Sequence, residues 1–194
     1  MSFARAFLEE AAEVLRRLDV EAIERLAELL AAVRERGGRL FLLGVGGGAA
    51  NASHATNDFR KLAGFEAYCP TDNVAELTAR TNDEGWETVF ESWLRASRLR
   101  AGDALLIFSV GGGDRERGVS VNLIRALELA RSVGASTAAI VGREQGYAAR
   151  AVDVAVVMPP VSWHHLTPHT EAFQALIWHL LVSHPRLKAA ATKW

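Results

Sequence analysis

Two short apolar runs, each broken off by a cluster of glycines and followed by a helical stretch, constrain this chain more than any other feature. Arg39-Leu40-Phe41-Leu42-Leu43 runs into Gly44-Val45-Gly46-Gly47-Gly48, and Ala104-Leu105-Leu106-Ile107-Phe108 runs toward Gly111-Gly112-Gly113. A run of strand length that is apolar on both faces reads as a buried strand of a parallel sheet covered by helices. Ser136 to Val141, Val152 to Met158 and the shorter Glu66 to Cys69 supply three further strands. Between them lie stretches of helical composition at 49–61, 88–99 and 119–133. The last helix is expected to start at Thr167 as N-cap, with Pro168 in the first helical position, and to end at His184-Pro185. Two amphipathic helices come first, one through Phe7, Val14 and Leu18 and one through Ile23, Leu26, Leu30 and Val33, separated near Asp19. The expected fold is α/β, a doubly wound open parallel sheet with helices on both faces and an N-terminal helical pair. Neither a linker nor a repeat is apparent, so one domain is expected over 1–194, with 1–36 used in packing and oligomerisation and 39–187 as the α/β core.

Composition narrows the function. Lys and Arg number 22 against 23 Asp and Glu, and no stretch concentrates one sign, which argues against a nucleic-acid-binding surface. A single cysteine, Cys69, cannot form an internal disulfide. The first helix is interrupted by charges, unlike a signal sequence, and no apolar run approaches the ~20 residues that span a bilayer. A cytoplasmic globular protein is expected.

A glycine-rich turn between a parallel strand and a helix lets backbone N–H groups reach an anion at the helix N-terminus. Two such loops at the carboxyl ends of two strands point to a phosphorylated ligand. Gly44-x-Gly46-x-x-Ala49 also fits a dinucleotide fingerprint, with Asp72 as its acidic partner. That match is partial, because Asp72 lies 28 residues after Gly44, beyond Pro70, where about 20 is usual. No nucleotide cofactor is expected.

Five of the six histidines fall in or near the last helix, and the sixth, His54, follows the first glycine loop. His54 and Asp58 are spaced i, i+4 and so share a helix face, a spacing that binds a metal ion or pairs an imidazole with a carboxylate. Glu171 and His179 are eight residues apart on the last helix, about 12 Å along its axis, too far to sit side by side. Trp163, His164 and His165 read as an exposed loop.

These residues together resemble the sugar isomerase (SIS) domain, and within it the phosphoheptose isomerases. Gly44-Val45-Gly46-Gly47-Gly48 leading to His54 and Asp58 stands where that family has a Gly-Asn-Gly-Gly-Ser loop, a His and a Glu. Asn82-Asp83-Glu84-Gly85-Trp86 resembles its Asn-Asp-aromatic-Gly-aromatic segment. Ser109 through Gly113, then Ser120, resembles its phosphate loop with about five residues, Asp114 to Gly118, inserted. Glu171 and His179 fall on its terminal Gln and His. The resemblance implies a flavodoxin-like sheet and a homotetramer with sites at subunit interfaces. It also implies isomerisation of sedoheptulose 7-phosphate to D-glycero-D-manno-heptose 7-phosphate through an enediol. Asp58 and His179 would be catalytic, and His54, Asp58, Glu171 and His179 would hold one divalent ion, zinc or another. Gly46, Gly47, Gly48, Asn51, Asp83, Ser109, Gly111, Gly112 and Ser120 would bind the sugar phosphate. Several hydroxyl and amide side chains of the family loops are replaced here by Val45, Gly48, Val110 and Gly111, and Arg115 or Arg117 of the insertion is a candidate substitute. The alternative is a module without catalysis, a sugar-phosphate sensor or an adaptor for the bacterial replication initiator.

Overall fold

The computed structural model describes residues 1–192, so the last two residues of the expected domain lie outside the described residues. Helices α1 (Phe3–Arg17) and α2 (Val20–Glu35) come first, and Asp19 separates them by accepting the Ala22 N–H as the N-cap of α2. There follow β1 (Leu40–Gly44), α3 (Gly47–Ala63), β2 (Ala67–Tyr68), a 3₁₀ turn at Pro70–Asp72, α4 (Val74–Glu84) and α5 (Val89–Ala96). The second half comprises β3 (Ala104–Ser109), α6 (Val121–Val133), β4 (Ser136–Val141), α7 (Tyr147–Ala151), β5 (Val154–Val157) and α8 (Leu166–Ser183).

All five strands are parallel, in the order β2-β1-β3-β4-β5, with Leu40 beside Ala104 and Ala104 beside Ser136. From β1 the chain winds outward to β2, then crosses back to β3 on the other side. The order therefore reverses between β1 and β3, the place where open α/β sheets bind ligands beyond the strand ends. Both glycine clusters leave the sheet there, one from each of these adjacent strands.

Alternation along the strands divides the core. Leu40, Leu42, Leu106, Phe108 and Ile140 face α2, α3 and α8, whereas Phe41, Leu43, Leu105, Ile107 and Val141 face α5 and α6. All ten are fully buried, each stabilising the fold by about 1.5–3 kcal/mol. Trp93 of the amphipathic stretch at 88–99, whose apolar spacing predicts burial beside Val89, Phe90 and Leu94, is only half-buried at the margin of this second layer.

Two local expectations need correction. The N-cap of α8 is His165, so Thr167 is already helical and Pro168 stands third in the helix, where its missing N–H has no intrahelical acceptor to satisfy. Helix α4 was not anticipated, because none of its residues is fully buried and few of them are large and apolar. Among the described residues, no helix is long and apolar enough to cross a membrane.

Candidate active site

Helix α3 starts without a side-chain cap, directly after Gly46, and its first turn presses on two neighbours. A side chain at Gly48 would collide with the Phe108 carbonyl of β3, and one at Gly47 with the carboxylate of Glu171 from α8. At Gly48, against backbone, only glycine fits, whereas at Gly47 a larger residue would displace the Glu171 side chain. The two approaches bring the first turn of α3, the end of β3 and the first half of α8 to one point.

Further along α3, His54 and Asp58 share a face as their spacing requires, with His54 Nε2 3.6 Å from Asp58 Oδ2. Asp58 is buried, and its Oδ2 accepts a hydrogen bond from Trp178 Nε1 at 3.1 Å. His179 Nε2 stands 3.5 Å from the same oxygen. Asp58 Oδ1 accepts from Asn57 Nδ2 at 3.1 Å. His179 Nδ1 lies 2.7 Å from the Ala175 carbonyl, which can only accept, so Nδ1 carries a proton and Nε2 is the ring nitrogen turned to the site. The two imidazoles are solvent-accessible, with 59% and 47% of the His54 and His179 side chains exposed. The site is thus a buried carboxylate beneath two open imidazoles.

The donor set suits a divalent ion. His54, Asp58 and His179 offer two nitrogens and an oxygen within 4.8 Å of one another. The 3.5 and 3.6 Å separations are close to the roughly 3.3 Å between ligands in tetrahedral coordination at about 2.0–2.1 Å. The carbonyl behind His179 Nδ1 is the outer partner that fixes a ligating imidazole. Glu171 does not join this group. Eight residues along α8 keep its carboxylate beside Gly47 at the N-terminus of α3, where the helix dipole favours negative charge.

Asn51 has both hydrogens of its amide engaged by α8, at the Glu171 carbonyl (3.0 Å) and Gln174 Oε1 (2.8 Å). Gln174, fully buried, passes the connection on to the Ile140 carbonyl of β4. Asp83 lies exposed near the end of α4 and accepts from the adjacent Asn82.

In the second loop Ser109 Oγ accepts the Gly112 N–H at 3.0 Å, while Ala148 and Tyr147 donate to the Gly112 and Gly113 carbonyls. Ser120 caps α6 in the left-handed conformation, with its hydroxyl free of any capping bond. The insertion is a small hairpin, closed by paired backbone bonds between Asp114 and Val119. On it Arg115 pairs with Glu128 of α6, and Arg117 lies beside Asp114.

Two residues of interest escaped sequence reasoning. Trp178 read as one member of an apolar stripe, yet it holds the carboxylate. Asn122, fully buried in the first turn of α6, leaves its Nδ2 without a partner among the described residues. A buried orphan donor at a helix N-terminus beside a glycine loop is suited to an anion.

Known proteins share this sequence pattern and fold. The SIS-domain family model matches residues 6–142. A lincomycin biosynthesis protein, LmbN, of Streptomyces lincolnensis is 32% identical over 191 residues, covering 93% of this chain and 68% of the relative. The phosphoheptose isomerase of Rhodospirillum rubrum is 30% identical over 184 residues, 91% of this chain and 92% of that one. In structure, the phosphoheptose isomerase GmhA of Neisseria gonorrhoeae aligns with a TM-score of 0.79 at 28% identity, covering 93% of this chain and 94% of that one. With glycine loops at the reversal of strand order and relatives matched along nearly its whole length, the chain belongs to the SIS-domain family, alongside the phosphoheptose isomerases.

Proposed function

We propose that this protein is an aldose–ketose isomerase of a phosphorylated sugar, interconverting sedoheptulose 7-phosphate and D-glycero-D-manno-heptose 7-phosphate in carbohydrate metabolism. The observation that carries this reading is Asp58, a buried carboxylate fixed by Trp178 beneath the open imidazoles of His54 and His179. The relatives that resemble the chain along most of its length support the substrate.

The glycine loops, Ser109, Ser120 and the orphan amide of Asn122 would hold the phosphate, and that remote binding would orient the open-chain sugar. Seven residues of α3 separate Gly47 from His54, a rise of about 10 Å, comparable to an extended seven-carbon chain. Asp58 takes a proton from one of C1 and C2 and returns it to the other through the enediol. His179 Nε2, left free by the Nδ1 contact, exchanges protons with O1, O2 or the ring oxygen. A divalent ion such as zinc, held by His54, Asp58 and His179, would supply Lewis-acid polarisation of the sugar carbonyl.

A cytoplasmic homotetramer with the site at a subunit interface completes the reading. Exposed Leu176 and Leu180 flank His179 on α8, so an apolar stripe runs through the site. Sedoheptulose 7-phosphate, with and without zinc, is followed by NMR. Turnover is expected, falling about 10²–10⁴-fold in Asp58→Asn and His179→Ala. Unchanged turnover in Asp58→Asn would remove the assigned base, and binding of the sugar without turnover would make the protein a sensor.

A further inference from the structure

A second cluster lies where α1 meets the head of α8. His165, the N-cap of α8, and His169, one turn on, are spaced i, i+4, so their imidazoles leave the same side of the helix. Both reach Glu10 of α1. Glu10 Oε2 stands 2.8 Å from His165 Nδ1 and 3.0 Å from His169 Nε2. Phe7, one turn before Glu10, covers the group, its ring centroid 4.5 Å from that of His169 and 5.2 Å from that of His165. His169 is buried and the other two are half-buried. Hydrogen bonding to His169 and then His165 holds the Glu10 carboxyl below the usual carboxylate range, so it is anionic at neutral pH.

Three features of this group suit a metal ion. Two imidazole nitrogens and one carboxylate oxygen, all within 4.8 Å of one another, make a donor set typical of zinc-class ions. Both nitrogens approach the single oxygen Oε2, so the three donor atoms are gathered in one place. The separations of 2.8 and 3.0 Å would open by only a few tenths of an ångström to reach the roughly 3.3 Å of tetrahedral ligands.

We propose that Glu10, His165 and His169 bind a divalent transition-metal ion of the zinc class, which clasps α1 to the head of α8. The clasp answers a need of the fold: of the residues of α1, Val14 alone is fully buried, so apolar burial holds the helix weakly. It is separate from the group around Asp58 and does not depend on the isomerase reading.

The test uses the full chain with His54→Ala and His179→Ala, which removes the other candidate metal site. After chelation and dialysis it is titrated with Co²⁺, and ligand-field absorption and bound metal are measured. One ion per chain is expected, with affinity at least about 100-fold weaker when Glu10→Gln is added. Glu10→Gln preserves size and an acceptor, and circular dichroism checks the fold of each variant. Zn²⁺ is expected to slow proteolysis within α1 in the background protein and to leave the rate unchanged in its Glu10→Gln derivative. Absence of stoichiometric Co²⁺, or equal binding with and without Glu10→Gln, would overturn the proposal and leave the group a hydrogen-bonded contact. Should the double background not fold, the native protein is compared with Glu10→Gln directly. One more ion in the native protein supports the clasp, and equal numbers overturn it.

Discussion

Trp178 turns a buried carboxylate into a positioned one. Its indole N–H is a donor that cannot accept, and at 3.1 Å it fixes one oxygen of Asp58 between the two imidazoles. Trp178→Phe keeps an aromatic ring and removes that donor. Hydrogen bonds to charged groups are worth about 1.5–3 kcal/mol, so kcat is expected to fall roughly 10- to 100-fold with KM for the sugar phosphate little changed. Steady-state kinetics beside a melting curve distinguishes this from a loss of packing, which would lower Tm and leave kcat per folded site intact. At this scale the sequence was partly legible. His54 and Asp58 announce themselves because i, i+4 spacing dictates a shared helix face. Trp178 does not, because one hydrogen bond spanning 120 residues leaves no period in the chain. Asn122 is hidden in the same way, inside the apolar first turn of α6.

The elements that were anticipated are those whose burial writes a pattern into the chain. Strands β1, β3 and β4 are almost wholly buried and appear as uninterrupted apolar runs. Helix α4 has only its caps and charges to show, Asn73 accepting the Glu76 N–H and Arg80 lying between Glu76 and Glu84. The ion pair that fastens the starts of β1 and β3 was equally silent. Asp103, fully buried, accepts from the backbone and guanidinium of Arg39 and from the Arg100 N–H, tying together the starts of the two strands. Burial acts to raise its pKa, but the hydrogen bonds and charge of Arg39 outweigh that and hold it below the usual carboxylate range. A depressed pKa contributes stability above the unfolded value of about 3.9 that is lost as pH falls through the folded value. Asp103→Asn is therefore expected to cost about 3–5 kcal/mol at neutral pH. The gap from the native protein in urea titrations should narrow below about pH 4.

For the whole molecule, the order β2-β1-β3-β4-β5 follows from short connections and right-handed crossovers, which leave few ways to arrange five parallel strands. What surrounds the sheet was less legible. Phe3, Leu8, Leu176 and Leu180 remain exposed, on α1 and α8, in a chain whose core is otherwise well covered. Their apolar spacing resembles that of buried positions, so the sequence alone does not separate a core face from an interface. A soluble assembly is expected to cover the α8 stripe. Leu176→Glu with Leu180→Glu should shift the species seen by light scattering from the proposed tetramer toward smaller forms, with turnover lost in parallel. An unchanged mass would place the interface elsewhere.

The chain of amides from Asn51 through Gln174 to the Ile140 carbonyl has a consequence for how such a protein can diversify. It locks α3, α8 and the sheet into one rigid body, and His54, Asp58 and His179 ride on that body. Change is then most easily accommodated in the loops at the strand ends, where the hairpin between Asp114 and Val119 stands outside that body.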